Sequence, residues 1–251
     1  MSGHSKWHSI KHKKGAIDAK RGKMFTQIAK LITIAVQKSG GDPSVNPALR
    51  QAIDKAKEIN MPNANIERAI KKGSGELKEG ALFEEVIYEG YGPEGIALLI
   101  QVVTDNKNRA LSSVKTILGK NGGNMGAAGC TAWMFEQKGV IEIEAGDKNA
   151  EEIELSAIDA GADDVKADGK MVCVYVLPQN FPRVKKVLED AKYSFSSAEI
   201  SLVPKTEVAI GNEHVARRIL QLMEALEDCD DVTNVASNFD IAAEILEKIG
   251  E

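Results

Sequence analysis

Cysteine is scarce in this chain. Cys130, Cys173 and Cys229 are odd in number, far apart and form no Cys-x-x-Cys pair, which argues against a disulfide framework and fits a reducing compartment with thiols as small hydrophobes. Aromatic residues make up only 5%, too few for a large aromatic-lined ligand pocket or an extended base-stacking platform. Long apolar runs are missing as well. The longest, Ile96 to Val103, is interrupted by Gln101 and is too short to span a bilayer. The first residues carry Lys and His without an apolar core segment, so no secretory signal is read there and a cytoplasmic protein is expected.

What is present is charge, unevenly placed. Residues 1–75 hold 15 Lys+Arg against 5 Asp+Glu, a net of +10, whereas residues 76–251 hold 17 against 32, a net of −15. The overall charge of −5 conceals this division. One end of the molecule attracts polyanions and the rest repels them.

The hydrophobic pattern divides the chain similarly. Met24, Ile28, Leu31, Ile32 and Ala35 recur at helical spacing until Gly40-Gly41. Asn46-Pro47 caps a second helix with Leu49, Ile53, Ala56 and Ile59 inward. After Met61-Pro62 a third helix carries Ile66, Ala69 and Ile70 and closes at Gly73. Strands are then expected at Phe83–Tyr88 and Ile96–Thr104, followed by a helix with Leu111, Val114, Ile117 and Leu118 on one face. From 135 to 204 the order is β-α-β-β-α-β, with a hairpin around Asp168-Gly169 and Asp147 as a helix cap, which is the ferredoxin-like arrangement. Glu207–Ile210, a helix from Val215 to Leu226, Val232–Ala236 and a closing helix at Ile241–Ile249 would complete the earlier β-β-α as a second sandwich. The expected fold is therefore α+β in three domains: a basic tail and three-helix bundle (1–78), a discontinuous α/β domain (79–134 and 205–251), and a ferredoxin-like domain (135–204) inserted into it. Both α/β parts are expected to be ferredoxin-like sandwiches.

Few residues are arranged for catalysis or metal binding. His4, His8 and His12 repeat every four residues, but their neighbours are Lys and Ser and no further ligands follow. The glycine-rich run Gly122–Gly129 resembles a phosphate cradle without the Gly-Lys-Ser/Thr ending, and a flexible inter-domain hinge is the expected role. Asp163-Asp164 and Asp230-Asp231 lack a histidine partner at useful spacing and read as solvated turns. No enzyme, cofactor, metal or small-molecule substrate is expected. The segment with Lys6, Trp7, Lys11, Lys13 and Lys14, continued by Lys20, Arg21 and Lys23, differs in kind: it is dense in cations and carries one indole able either to stack on a base or to pack onto the bundle. Arg68, Lys71 and Lys72 on the third helix extend that surface.

Ser2-Gly3-His4-Ser5-Lys6-Trp7, Lys11-His12-Lys13-Lys14, Arg21-Gly22-Lys23, Asn60-Met61-Pro62, Ile66 to Gly73, Thr104 to Arg109 and Asp230-Asp231-Val232 together resemble the YebC/PmpR family along essentially the whole chain. The resemblance implies one helical and two α/β domains, the third inserted into the second, in a cytoplasmic bacterial regulator of transcription that binds DNA. It also implies an alternative, because mitochondrial relatives activate translation and bacterial members are linked to stalled ribosomes. On that alternative the partner is ribosomal or transfer RNA, or the ribosome itself.

Overall fold

The computed structural model describes residues 17–77, 82–145, 150–168 and 171–250. Helix α1 (Ile17–Ser39), α2 (Pro47–Glu58) and α3 (Asn63–Gly73) form the N-terminal unit. Ile28, Ile32, Ala35 and Val36 of α1 meet Leu49, Ala52 and Ala56 of α2 and Ile66 and Ala69 of α3 in one core. Burying Ile32 or Leu49 fully is worth about 1.5–3 kcal/mol each. Met24, expected inward, is exposed instead. Asn46 does two jobs: its Oδ1 accepts from Leu49 N at 3.0 Å to cap α2, while its Nδ2 donates to Ala35 O at 2.9 Å and Gly40 O at 2.8 Å at the end of α1. Asn60 takes a positive φ of 55°, which asparagine tolerates better than most residues, and this turn buries Met61 before α3 begins. At Gly73 a Cβ would lie 2.6 Å from Thr33 O and 2.7 Å from Val36 Cβ, so α3 closes on α1 only because that position is glycine.

Strands β1 (Glu84–Tyr91) and β2 (Ala97–Thr104) form an antiparallel hairpin, and α4 (Lys107–Lys120) follows. Asn106 caps α4 by accepting from Arg109 N at 3.0 Å. Its inward face is Ala110, Val114 and Leu118; Leu111, expected there, is exposed. The short β3 (Asn124–Met125) adds to β1 from within the glycine-rich run.

Next come β4 (Phe135–Glu144), α5 (Ala150–Ala160), β5 (Asp164–Asp168), β6 (Met171–Val176), α6 (Phe181–Asp190) and β7 (Phe195–Pro204). Their sheet runs β5-β6-β4-β7, antiparallel throughout, which is the ferredoxin-like order. Its core, including Ile141, Ile143, Ile153, Val174, Val184 and Leu188, lies wholly between 141 and 200. The β5–β6 register pairs Asp168 with Met171, so the expected hairpin is present; Gly169 at its tip and the expected cap Asp147 lie outside the described residues.

The chain then returns through β8 (Val208–Ile210), α7 (Glu213–Glu227), β9 (Val232–Ser237), β10 (Phe239–Ile241) and α8 (Ala243–Gly250). Here the second ferredoxin-like sandwich does not form. The four-stranded sheet runs β3-β1-β2-β9, and β8, expected to join it, pairs instead in parallel with β10. Asn238, fully buried between β9 and β10, supplies a local reason: its Oδ1 accepts from Ala97 N at 2.7 Å and its backbone O accepts from Val208 N at 2.7 Å, so the chain turns away from the main sheet there. The unit remains an α/β sandwich, with α4, α7 and α8 contributing to one core over β2 and β9. On the other side of that sheet Ala97, Leu99 and Ala236 meet Phe135, with Leu202 packed alongside.

Candidate nucleic-acid interface

Of the cations singled out in the sequence, Lys6, Lys11, Lys13 and Lys14, together with Trp7, lie outside the described residues, as do His4, His8 and His12. Lys20 falls in the first turn of α1, with its side chain also outside them. The rest divide into two groups. Arg21, Arg68 and Lys71 are exposed. Arg68 and Lys71 share a face of α3 at spacing i,i+3, and none of the three is in an ion pair among the described residues. Arg21 sits 5.9 Å from the centroid of the Phe25 ring. Lys23 and Lys72 are engaged: Lys23 Nζ is 3.2 Å from Asp228 Oδ1, and Lys72 Nζ lies 4.4 Å from the Phe83 ring centroid. Lys30 approaches the same ring at 5.9 Å, so Phe83 draws α1 and α3 toward the start of β1 through cation–π attraction.

Sequence reasoning missed how the basic unit is seated on the acidic one. Lys30 Nζ donates to Asp231 Oδ1 at 2.8 Å and to Asp230 O at 2.6 Å. Gln27 Nε2 donates to Val232 O at 2.8 Å. Lys38 pairs with Glu85, and Lys55 with Glu199 of β7. Each of these lysines comes from α1 or α2 and each carboxylate from the α/β part, so the charge asymmetry serves docking between the two parts. Asp231 is only 6% exposed, which corrects its reading as a solvated turn. It also receives Arg109 Nη2 at 3.0 Å and Nε at 3.3 Å. Burial alone would raise its pKa, but the Lys30 and Arg109 hydrogen bonds outweigh that and hold the carboxyl below the ordinary range. The open cleft of about 840 Å³ beside this network is lined by Lys30 and Arg109 together with Asp228, Asp230 and Asp231, so its charges largely satisfy one another.

The last glycine of the run and the residues just after it do cradle an anion, but the anion is the protein's own. The buried Glu89 carboxylate accepts from Gly129 N at 2.6 Å, Thr131 N at 2.6 Å, Ala132 N at 2.8 Å and Thr131 Oγ1 at 3.2 Å. Burial pushes its pKa up, yet the backbone N–H donors prevail and the group is held below the usual carboxylate range. The expected flexible hinge is thus tied to β1 at Gly126, whose N donates to Glu89 O at 2.8 Å, and at Gly129. Tyr175, on the helix-free face of the ferredoxin-like sheet with Val140 and Cys173, is only 4% exposed and offers no platform for base stacking. Among the described residues no group of three or more His, Cys, Asp and Glu is placed to hold a metal, and no helix is long and apolar enough to cross a membrane.

Comparison with known proteins identifies the family. A family model described as the TACO1/YebC protein N-terminal domain matches residues 5–76, and one described as the TACO1/YebC second and third domain matches residues 83–239. A probable transcriptional regulatory protein of Halothermothrix orenii is 49% identical over 253 residues, covering 100% of both chains. One of Trichlorobacter lovleyi is 53% identical over 249 residues, covering 99% of this chain and 100% of its own. The crystal structure of a conserved hypothetical protein from Aquifex aeolicus superposes with a TM-score of 0.83 at 46% identity, over 94% of this chain and 97% of that one. With matches spanning both the helical and the α/β parts, this chain belongs to the TACO1/YebC family.

Proposed function

We propose that the protein is a non-catalytic, cytoplasmic regulator of transcription that grips duplex DNA through its N-terminal helical domain. The observation that carries this reading is the solvent-facing set Arg21, Arg68 and Lys71, without ion-pair partners among the described residues, on a unit of net charge +10. The names of its relatives, probable transcriptional regulatory proteins, support the same conclusion. The grip is on phosphate rather than base edges, since α3 offers only Arg68, Lys71 and Lys72 besides small, polar, acidic or apolar residues. Lys6, Lys11, Lys13, Lys14 and Lys20 add phosphate contacts, and Lys23 joins by exchanging Asp228 for a phosphate. On this reading residues 1–78 are the binding head, 79–134 with 205–251 the body, and 135–204 a module inserted into it.

Salt titration of the full chain on a duplex tests the proposal. With about six phosphate contacts, affinity should fall about a thousandfold between about 50 and 200 mM salt. Arg68→Gln together with Lys71→Gln should weaken all sequences alike and reduce the salt slope by about 2. A flat salt response sinks the reading. Crosslinking in cells then identifies the strand: recovery of ribosomal RNA rather than promoter DNA would replace transcription with translation.

A further inference from the structure

Trp133 leaves 67% of its surface in solvent, forfeiting much of the stabilisation that burying an indole brings. Its backbone is nonetheless firmly held. Residues 132–134 form a single 3-10 turn, and the Glu89 carboxylate fixes the N–H groups of Thr131 and Ala132 just before the indole. Buried Phe135 follows directly. The indole Nε1 donates to Cys130 O at 3.0 Å, so the ring's one polar group is satisfied within the loop. What it presents outward is ring surface on a preorganised support.

Beside it stands a cation. Lys205 N donates to Met134 O at 2.8 Å, and Lys205 Nζ donates to Trp133 O at 3.0 Å. Lys205 is exposed and has no carboxylate partner among the described residues. Many cations of the α/β part are paired locally, as with Lys107–Glu84, Lys138–Glu136, Lys166–Glu207 and Arg217–Glu213. An exposed aromatic face next to an uncompensated ammonium suits a base and its phosphate. An apolar protein pocket could accept the indole but would desolvate the ammonium at its rim without compensation.

We propose that Trp133 and Lys205 form a second nucleic-acid contact, the indole stacking on one unpaired base and the ammonium meeting the adjoining phosphate. The contact rests on the nucleic-acid reading above and adds a preference to it. A duplex keeps its bases stacked on one another, so only a single-stranded or looped segment can supply this base.

The test uses the full chain carrying Trp7→Phe, which leaves Trp133 as the single tryptophan. Single-stranded DNA, single-stranded RNA and a matched duplex are titrated while indole emission and the anisotropy of a labelled oligonucleotide are followed together. Single strands should quench the emission along the same curve as the anisotropy, whereas the duplex should bind without quenching. Trp133→Ala should weaken single-strand binding by about 5- to 150-fold and leave duplex binding unchanged. Trp133→Phe should restore most of the loss, and Lys205→Gln should reduce the single-strand salt slope by about 0.7. These last two variants and the quenching remain readable if the alanine variant folds poorly. Single-strand binding without quenching and undiminished by Trp133→Ala overturns this contact alone and leaves the indole to a protein pocket. Equal losses on single strands and duplex also overturn it. Failure of the unaltered chain to bind any nucleic acid overturns the contact together with the proposed function.

Discussion

Lys30, on the first helix, places its ammonium 2.8 Å from the Asp231 carboxylate just before β9, 201 residues away in sequence, and Arg109 closes on the same carboxylate from the start of α4. One buried charge thereby joins the basic unit to the acidic one. Asp231→Asn should lower stability by about 3 kcal/mol, the low end of what breaking a buried pair costs, because Arg109 keeps half its surface in water. Chemical denaturation of wild type, Asp231→Asn, Lys30→Met and the double variant checks this. Lys30 and Asp231 should show a coupling of about 1 kcal/mol or more, and strict additivity would contradict the contact.

Acid should destabilise the protein through Glu89 and Asp231. Both carboxyls are held below their ordinary values in the fold. Each therefore contributes its stability in full above the unfolded value of about 4 and loses it as pH falls through the lower, folded value. Melting temperature should accordingly drop below about pH 4. Glu89→Gln, which turns an NH₂ toward backbone donors, should cost about 1.5–3 kcal/mol at neutral pH and show a shallower acid limb. An unchanged acid limb in that variant would remove Glu89 from the explanation.

On the proposed division, residues 135–204 should be separable from the rest. Phe135 pairs with Pro204 across β4 and β7, so the two ends of the segment are neighbours. The core over β2 and β9 contains no residue from between them. Replacing residues 135–204 by a short Gly/Ser linker should leave a cooperative thermal transition in circular dichroism, at reduced midpoint because Phe135 and Leu202 no longer cover Leu99 and Ala236. A broad, non-cooperative melt would show that the flanking parts depend on the insert.

The sequence by itself determined the local elements and the charge division. Asn46-Pro47 specifies a helix start wherever the chain goes, since the cap bond forms within three residues. The β-α-β-β-α-β order of 135–204 likewise left few alternatives, because each apolar period is read over a few residues. The same holds for the exposed cations Arg68 and Lys71, whose spacing fixes their common face. Tertiary structure decided what depends on partners distant in sequence. Val208–Ile210 is apolar enough for any sheet, but β2 is already flanked by β1 and β9, and the strand pairs in parallel with β10 instead. Leu111 fits the helical period but lies at its margin, and which face of α4 turns inward is set by the sheet it covers. Asp231 and Glu89 look like any surface acids in sequence. Their burial follows from donors 201 residues before one and 40 to 43 residues after the other, and no local pattern records who will meet a carboxylate once the chain has folded.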